Sequence, residues 1–175
     1  QAFMIARERE PIGELNACNP NRHVVCDVEN DLVVLADPRL MKSLVTNLVS
    51  NAWKYSVTQP RTQIEFTCDR NAPATTYSIR DRGVGFDMTQ ANQLFEPFRR
   101  LHSSSDFPGT GIGLAIVSRI VRWYGGRIWA LSEPNKGAEF RFTLPLAEAA
   151  TRTLCAPNST DVGLLVSAAS RNFVH

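Results

Sequence analysis

Positions 44, 47, 48, 51 and 55 fall three and four apart, the spacing that lines residues up along one side of an α-helix. They are Leu44, Asn47, Leu48, Asn51 and Tyr55. The pattern predicts a helix over residues 40–55 whose apolar stripe is interrupted by two amides. Asn is a mediocre helix former, and an amide buried without partners costs about 1–3 kcal/mol, so something polar is expected to meet that face. Immediately upstream, Asp37 and Pro38 supply an N-cap and a first-turn proline.

Elsewhere the period is two. Residues 23–29 and 32–35 are Val-rich runs parted by Asn30 and Asp31, which predicts a hairpin. Residues 62–70 and 74–81 predict a second hairpin around Asn71, Ala72 and Pro73. In its first strand Ile64, Phe66 and Cys68 share a face. In its second, parity puts Tyr77, Ile79 and Asp81 together, so a carboxylate follows two core residues onto the buried side. A glycine-rich turn covers 81–86, and a helix-compatible run follows at 88–94. Residues 101–110 are small, polar and aperiodic, the composition of a mobile loop. Gly109, Gly111 and Gly113 then open a helix to about Tyr124, with Ile112, Ile116, Ile120 and Trp123 at helical spacing and Gly125-Gly126 as its stop. Residues 127–132 and 138–144 read as a last pair of strands. One domain over 23–145 is expected. Residues 1–22 read as a linker remnant with a short helix near 12–18 and a turn at 19–21, and 146–175, rich in Ala, Ser and Thr, as a loosely held tail.

Composition narrows the partners. At 175 residues, 43% hydrophobic and 21% charged, the chain suits one soluble core, and a formal net charge of +2 is too small to favour nucleic acid or an anionic membrane. No apolar run approaches the roughly 18 residues of a membrane span. The opening QAFMIARERE lacks the apolar centre of a signal peptide, so a cytoplasmic location is expected. The four cysteines, Cys18, Cys26, Cys68 and Cys155, are scattered without metal-ligand spacing and read as reduced.

Three segments ask for one kind of ligand. Gly109, Gly111 and Gly113 at a helix N-terminus let backbone N–H groups approach an anion, with the helix dipole favouring phosphate. A plain turn or close helix packing explains such glycines too, and the spacing matches neither the Walker nor the dinucleotide pattern. Asn47 and Asn51, four apart, can aim two neutral oxygens at one point. That suits Mg²⁺ bound to a triphosphate, although amides in a helix also bridge backbone groups. An ionised Asp81 only accepts hydrogen bonds, so it can take the exocyclic amine of adenine and would repel the carbonyl of guanine. The alternative for Asp81 is an ion pair with Arg80 or Arg82, but parity sends both to the other strand face.

The segments NLVSNAWKYS from Asn47, DRGVG from Asp81, FEPF from Phe95 and GTGIGL from Gly109 resemble, in order and spacing, the catalytic ATP-binding domain of sensor histidine kinases. These belong to the GHKL superfamily with gyrase B, Hsp90 and MutL. The run FRRLHSSSDFPGTGIGLAIV is similar to kinases attached to phytochrome-like or PAS sensor modules. The resemblance spans about residues 23–145 and implies an α/β fold, a two-layer α/β sandwich of the Bergerat type with a mixed, mainly antiparallel sheet covered by helices on one face. It implies that Asn47 and Asn51 hold Mg²⁺, Lys54 meets phosphate, Tyr55 stacks near adenine and Asp81 takes its amine. Gly83 and Gly85 would shape the base pocket, and Phe95 and Phe98 would anchor a lid, both largely by core packing. Arg100 would approach the γ-phosphate, and Gly109, Thr110, Gly111 and Gly113, with Leu114, would bound the phosphates. Arg99 stands where the family more often has Tyr.

Asn47 also occupies the position of the general-base Glu of the superfamily's ATPases, and an amide cannot serve as that base. An imidazole acceptor brings its own lone pair and needs positioning and charge neutralisation instead. None of His23, His102 and His175 lies in an H-box. The resemblance therefore implies a Mg-ATP-binding catalytic piece of a histidine kinase, monomeric in isolation. Its γ-phosphoryl acceptor would lie on a separate dimerisation domain and pass the group on to a response regulator. A nucleotide-binding module without transfer, or a self-standing ATPase, are the alternatives.

Overall fold

The computed structural model describes residues 2–4, 22, 24–29, 32–59, 61–72, 74–103, 107 and 109–144. The expected helix at 12–18, the turns at 19–21 and 30–31, the tail at 146–175, Cys18, Cys155, His23 and His175 lie outside the described residues. The elements in chain order are β1 (Ala2–Met4), β2 (Val24–Val28), β3 (Val33–Leu35), α1 (Pro38–Tyr55), β4 (Thr62–Asp69) and β5 (Thr76–Asp81). A 3₁₀ segment (Met88–Gln93), α2 (Gly113–Trp123), β6 (Ile128–Ser132) and β7 (Ala138–Thr143) follow.

The main sheet has the order β2-β4-β5-β7-β6, parallel between β2 and β4 and antiparallel elsewhere. Its two hairpins, β4–β5 and β6–β7, are those the alternation predicts. The hairpin expected from 23–29 and 32–35 does not form. β2 pairs with β4 and β3 pairs with β1. A parallel neighbour needs a crossover, and α1 supplies it; Leu32 and Val34 meanwhile go to the core, at 0% and 5% exposure.

Strand parity divides the sheet. Ile64, Phe66, Tyr77, Ile79, Phe140 and Phe142 are buried, packed in one core with Met41, Leu44 and Leu48 of α1 and Val117 and Val121 of α2. The opposite face carries polar ladders, such as Arg80 and Arg141 both paired with Glu139 at 2.6 Å. The helices thus form the second layer of a two-layer α/β sandwich.

Two helix faces differ in detail from the sequence expectation. The deepest stripe of α1 is Met41, Leu44, Val45, Leu48 and Ala52, while Asn47, Asn51 and Tyr55 are half-buried along its shoulder. In α2 the buried side is Val117, Ile120 and Val121; Ile116 and Trp123 face outward, Trp123 with 75% of its surface exposed. Apolar spacing locates a stripe only to within about one residue step, roughly 100° of rotation, and the contact with α1 decides which side is buried.

The helix ends are set locally. Asp37 accepts from the backbone N–H groups of Arg39 at 2.8 Å and Leu40 at 3.3 Å. Its own N–H donates to the Tyr124 hydroxyl at 2.8 Å, tying the start of α1 to the end of α2. The far end of α1 is thereby left beside the start of α2. Gly125, at φ +72°, ends α2 with its N–H on the Arg122 carbonyl at 2.9 Å. Asp37→Ala should lower the urea-unfolding free energy by about 1 kcal/mol, the usual value of an N-cap, with an unchanged dependence on urea concentration.

Candidate functional site

The polar shoulder of α1, the end of β5 and the segment running into α2 enclose a cavity of about 290 Å³. Asn47, Asn51, Lys54, Tyr55, Asp81, Gly85, Arg100, Gly109, Thr110, Gly111, Gly113 and Leu114 all line it, so the structure brings together most of the residues the motifs single out.

Asn47 makes both kinds of contact open to it. Its Nδ2 donates to the Ser43 carbonyl one turn back at 2.8 Å, which leaves Oδ1 as an acceptor. That oxygen faces Gly113, where a Cβ would lie 2.8 Å from it, so a side chain there would displace the Asn47 amide. Asn51, one turn further on, has no side-chain hydrogen bond among the described residues. Two amide oxygens at the cavity wall, without the three or more carboxylate, His or Cys ligands of a self-sufficient metal site among the described residues, fit a hard cation that takes its other ligands from phosphate and water.

Asp81 is 3% exposed. Its Oδ1 accepts from the N–H of Gly83 at 2.8 Å and of Ala138 at 3.3 Å, and neither neighbouring arginine reaches it. As parity requires, Arg80 pairs with Glu139 and Arg82 with Glu65 on the other face. Burial pushes the Asp81 carboxyl up to about 6, and the two N–H donors only partly offset this. Gly83 stands behind the wall: its Cβ would lie 2.3 Å from the Tyr55 carbonyl. That carbonyl accepts the Val84 N–H at 2.9 Å and binds the turn to the end of α1.

The segment between Arg100 and α2 closes one side. Arg100 donates to the carbonyls of Gly109 at 2.9 Å, of Ser103 at 3.4 Å and of Phe107. Tyr55 meets His102 and Phe107 at centroid distances of 5.2 and 5.0 Å, and Lys54 Nζ stands 4.3 Å over the Tyr55 ring. Tyr55 is therefore engaged by this segment as well as lining the cavity. Residues 104–106 and 108 lie outside the described residues. The N-cap of α2 is Ile112, which makes no side-chain cap bond, so the first-turn N–H groups are left without a side-chain acceptor beside the glycines.

Phe95 and Phe98 do not line the cavity. Phe95 packs half-buried against the core, as expected. Phe98 is 74% exposed, against the expectation of core packing. Its φ of +64° throws the ring outward while its N–H bonds the Gly111 carbonyl at 3.0 Å. It ties the two ends of the segment by backbone, not by ring. Sequence reasoning missed Ser50, Phe86, His102 and Phe140 as wall residues and left Arg99, also on the wall, without a role. The helical period that picks out Asn47 and Asn51 already includes Ser50 on the same shoulder, whereas Phe140 depends on strand order.

Residues 36–148 match the family model described as histidine kinase-, DNA gyrase B- and HSP90-like ATPase. The chain belongs to this family. It is 36% identical over 113 residues to cyanobacterial phytochrome A of Nostoc sp., covering 65% of this chain and 15% of the phytochrome. It is 37% identical over 127 residues to the adaptive-response sensory kinase SasA of Synechococcus elongatus, covering 71% and 32%. The chain thus spans less than a third of either relative. Among solved structures, the catalytic domain of histidine kinase ThkA superposes with a TM-score of 0.64 at 27% identity, covering 83% of this chain and 94% of that one. The mycobacterial sensor histidine kinase MprB gives a TM-score of 0.67 at 22% identity, covering 83% and 96%, a likeness of fold. The resemblance to histidine kinase ATP-binding domains read from the four motifs is borne out, as is the α/β fold it implies.

The state of Asp81 has a measurable consequence. A carboxyl raised from 3.8 to about 6 by folding is protonated more readily in the native state. Its contribution is fully present below about pH 4 and is lost as pH rises through about 6, which lowers stability by about 3 kcal/mol. In urea melts at pH 4, 6 and 7.5, Asp81→Asn should gain on the wild type across this interval, because the amide removes the ionisation while its oxygen keeps the two N–H partners.

Proposed function

We propose that the chain binds Mg-ATP and transfers the γ-phosphoryl group to a histidine on a separate dimerisation domain of a sensor kinase, from which a response regulator receives it. The observation that carries this reading is the charge inventory of the cavity. Asp81 is the one carboxylate among its described lining residues, and its Oδ1 is already committed to backbone donors. The free Asp81 oxygen suits an exocyclic amine, which favours adenine over guanine. With Asn47 in place of an acidic residue on the α1 wall, no second carboxylate stands there to activate water or serine. An imidazole acceptor does not need one.

The remaining residues then take defined tasks. Lys54 and Arg100, both on the wall, supply positive charge to the phosphates. The first-turn N–H groups of α2 and the backbone at Gly109, Thr110, Gly111 and Gly113 receive phosphate oxygens. Asn51 and Asn47 would hold Mg²⁺, which when bound neutralises phosphate charge. Gly85 and Leu114 complete the wall, and Tyr55 bounds it on the lid side. Gly83, behind the wall, holds the base-side turn. Phosphoryl transfer to a response regulator would put the domain in the cytoplasm; separately, no helix among the described residues is long and apolar enough to cross a membrane.

The test is transfer between molecules. Incubated with labelled ATP and a histidine-kinase dimerisation domain, such as that of SasA, the chain should label the partner's histidine and not itself. Stable phosphohistidine on this chain would contradict the reading, steady phosphate release without transfer would favour an ATPase, and binding with neither would favour a regulatory module. Asn51→Ala should reduce transfer at least 100-fold while the thermal midpoint moves by only a few degrees. Asp81→Asn should weaken ATP binding at least 10-fold with folding intact, because its amide presents N–H to the adenine amine.

A further inference from the structure

His102 lies on the cavity wall. Its ring packs against Tyr55 at 5.2 Å and Phe107 at 5.3 Å, and those two rings are 5.0 Å apart, so three aromatic rings form one cluster. Tyr55 ends α1 and belongs to the rigid layer. Phe107 is buried at 7% exposure, and Arg100 gathers the backbone around it through the carbonyls of Ser103, Phe107 and Gly109. The imidazole is therefore held by two tilted rings. Its ring nitrogens are not engaged: among the described residues His102 has no hydrogen bond or ion pair, although it is half-buried. A position needed only for ring packing is served as well by Phe, which has no polar edge. Polar groups tied to this cluster by contact are Lys54, whose Nζ stands over Tyr55 and beside Gly109, and Arg100, which bonds the Gly109 and Phe107 carbonyls, both suited to an anion.

We propose that His102 is a polyphosphate-contacting residue. Packed against Tyr55 and Phe107, its ring N–H donates a hydrogen bond to a phosphate oxygen of the nucleotide in the cavity. Either neutral tautomer has one N–H to give, and a charged acceptor makes this bond about twice as strong as one between neutral groups. The proposal rests on the nucleotide-binding reading above and adds to it a residue that sets preference for phosphorylated over unphosphorylated ligand.

Binding of Mg-ATP, Mg-ADP and adenosine to the full chain by calorimetry separates the possibilities. His102→Phe keeps the ring cluster and removes the donor. It should weaken ATP and ADP by at least about ten-fold and leave adenosine unchanged. His102→Gln, which restores an N–H without the ring, should recover most of the ATP affinity. If His102→Phe does not fold, as judged by its circular dichroism melt, the pair His102→Gln and His102→Leu carries the same comparison. ATP binding by His102→Phe equal to wild type would show that the ring only packs and would overturn the proposal. An equal loss for ATP and adenosine would also overturn it, since the residue would then act through the shape of the lid. A wild-type chain that binds adenosine but gains nothing from the phosphates sinks this proposal alone, whereas one that binds none of the three ligands sinks the nucleotide reading with it.

Discussion

Asp81 is buried with two backbone N–H groups as partners and no cation, and holding it there fixes three separate parts of the chain. The Gly83 N–H reaches back to it over two residues, in a turn so close to the last residue of α1 that a Cβ on Gly83 would meet the Tyr55 carbonyl at 2.3 Å. The Ala138 N–H reaches it from β7. A Cβ on Gly137 would in turn come within 2.0 Å of the Asp81 carbonyl, and Gly85 is pressed on the Glu133 carbonyl in the same way. Asn135 N–H to the Val84 carbonyl at 2.7 Å closes the arrangement. The end of β5 is thus held between the end of α1 and the β6–β7 turn, and its glycines are places where backbone meets backbone. A buried carboxyl disfavours its charged form. Its other oxygen has no hydrogen-bond partner among the described residues, and the residue lines the cavity.

α1 does two jobs by rotation. One side, Met41 through Ala52, fills the core over β4 and β5; the adjacent shoulder carries Asn47, Ser50, Asn51 and Lys54 to the cavity. An 18-residue helix buried along one stripe is rigid enough to aim short side chains. Asn47 gains further precision from its own bond to the Ser43 carbonyl. The link from Asp37 to Tyr124 sets the pairing of α1 with α2 from the opposite end, which brings Gly113 against Asn47.

What the sequence made legible follows from the range of the forces involved. The N-cap at Asp37, the β4–β5 and β6–β7 hairpins and the buried parity of Asp81 are local, set by neighbours within a few residues, and they were readable. The pairing of β2 with β4 was not, because a Val-rich run beside a turn signal scores as a hairpin whether or not a helix later carries the chain across. Phe98 was misplaced for a related reason. Its composition suits a core, and only the left-handed backbone required to meet Gly111 sends the ring out. His102 and Phe140 reach the wall through long-range packing, and no spacing in the chain announces that.

The distribution of charge orients whatever enters. The carboxylate stands with Gly83 and Ala138 at the end of the sheet; the cations stand on the lid side, where Lys54 Nζ would be 3.2 Å from a Cβ on Gly109 and Arg100 bonds the Gly109 carbonyl. A ligand with a hydrogen-bond donor on a flat ring and a chain of negative charges satisfies both regions in one direction only. Reversed, it would set phosphate against Asp81 inside a desolvated pocket, where like charges repel far more strongly than in water. The cavity therefore selects polarity as well as shape. With a single carboxylate on its described wall, standing at the sheet end, the cavity has no second acidic group beside its cations.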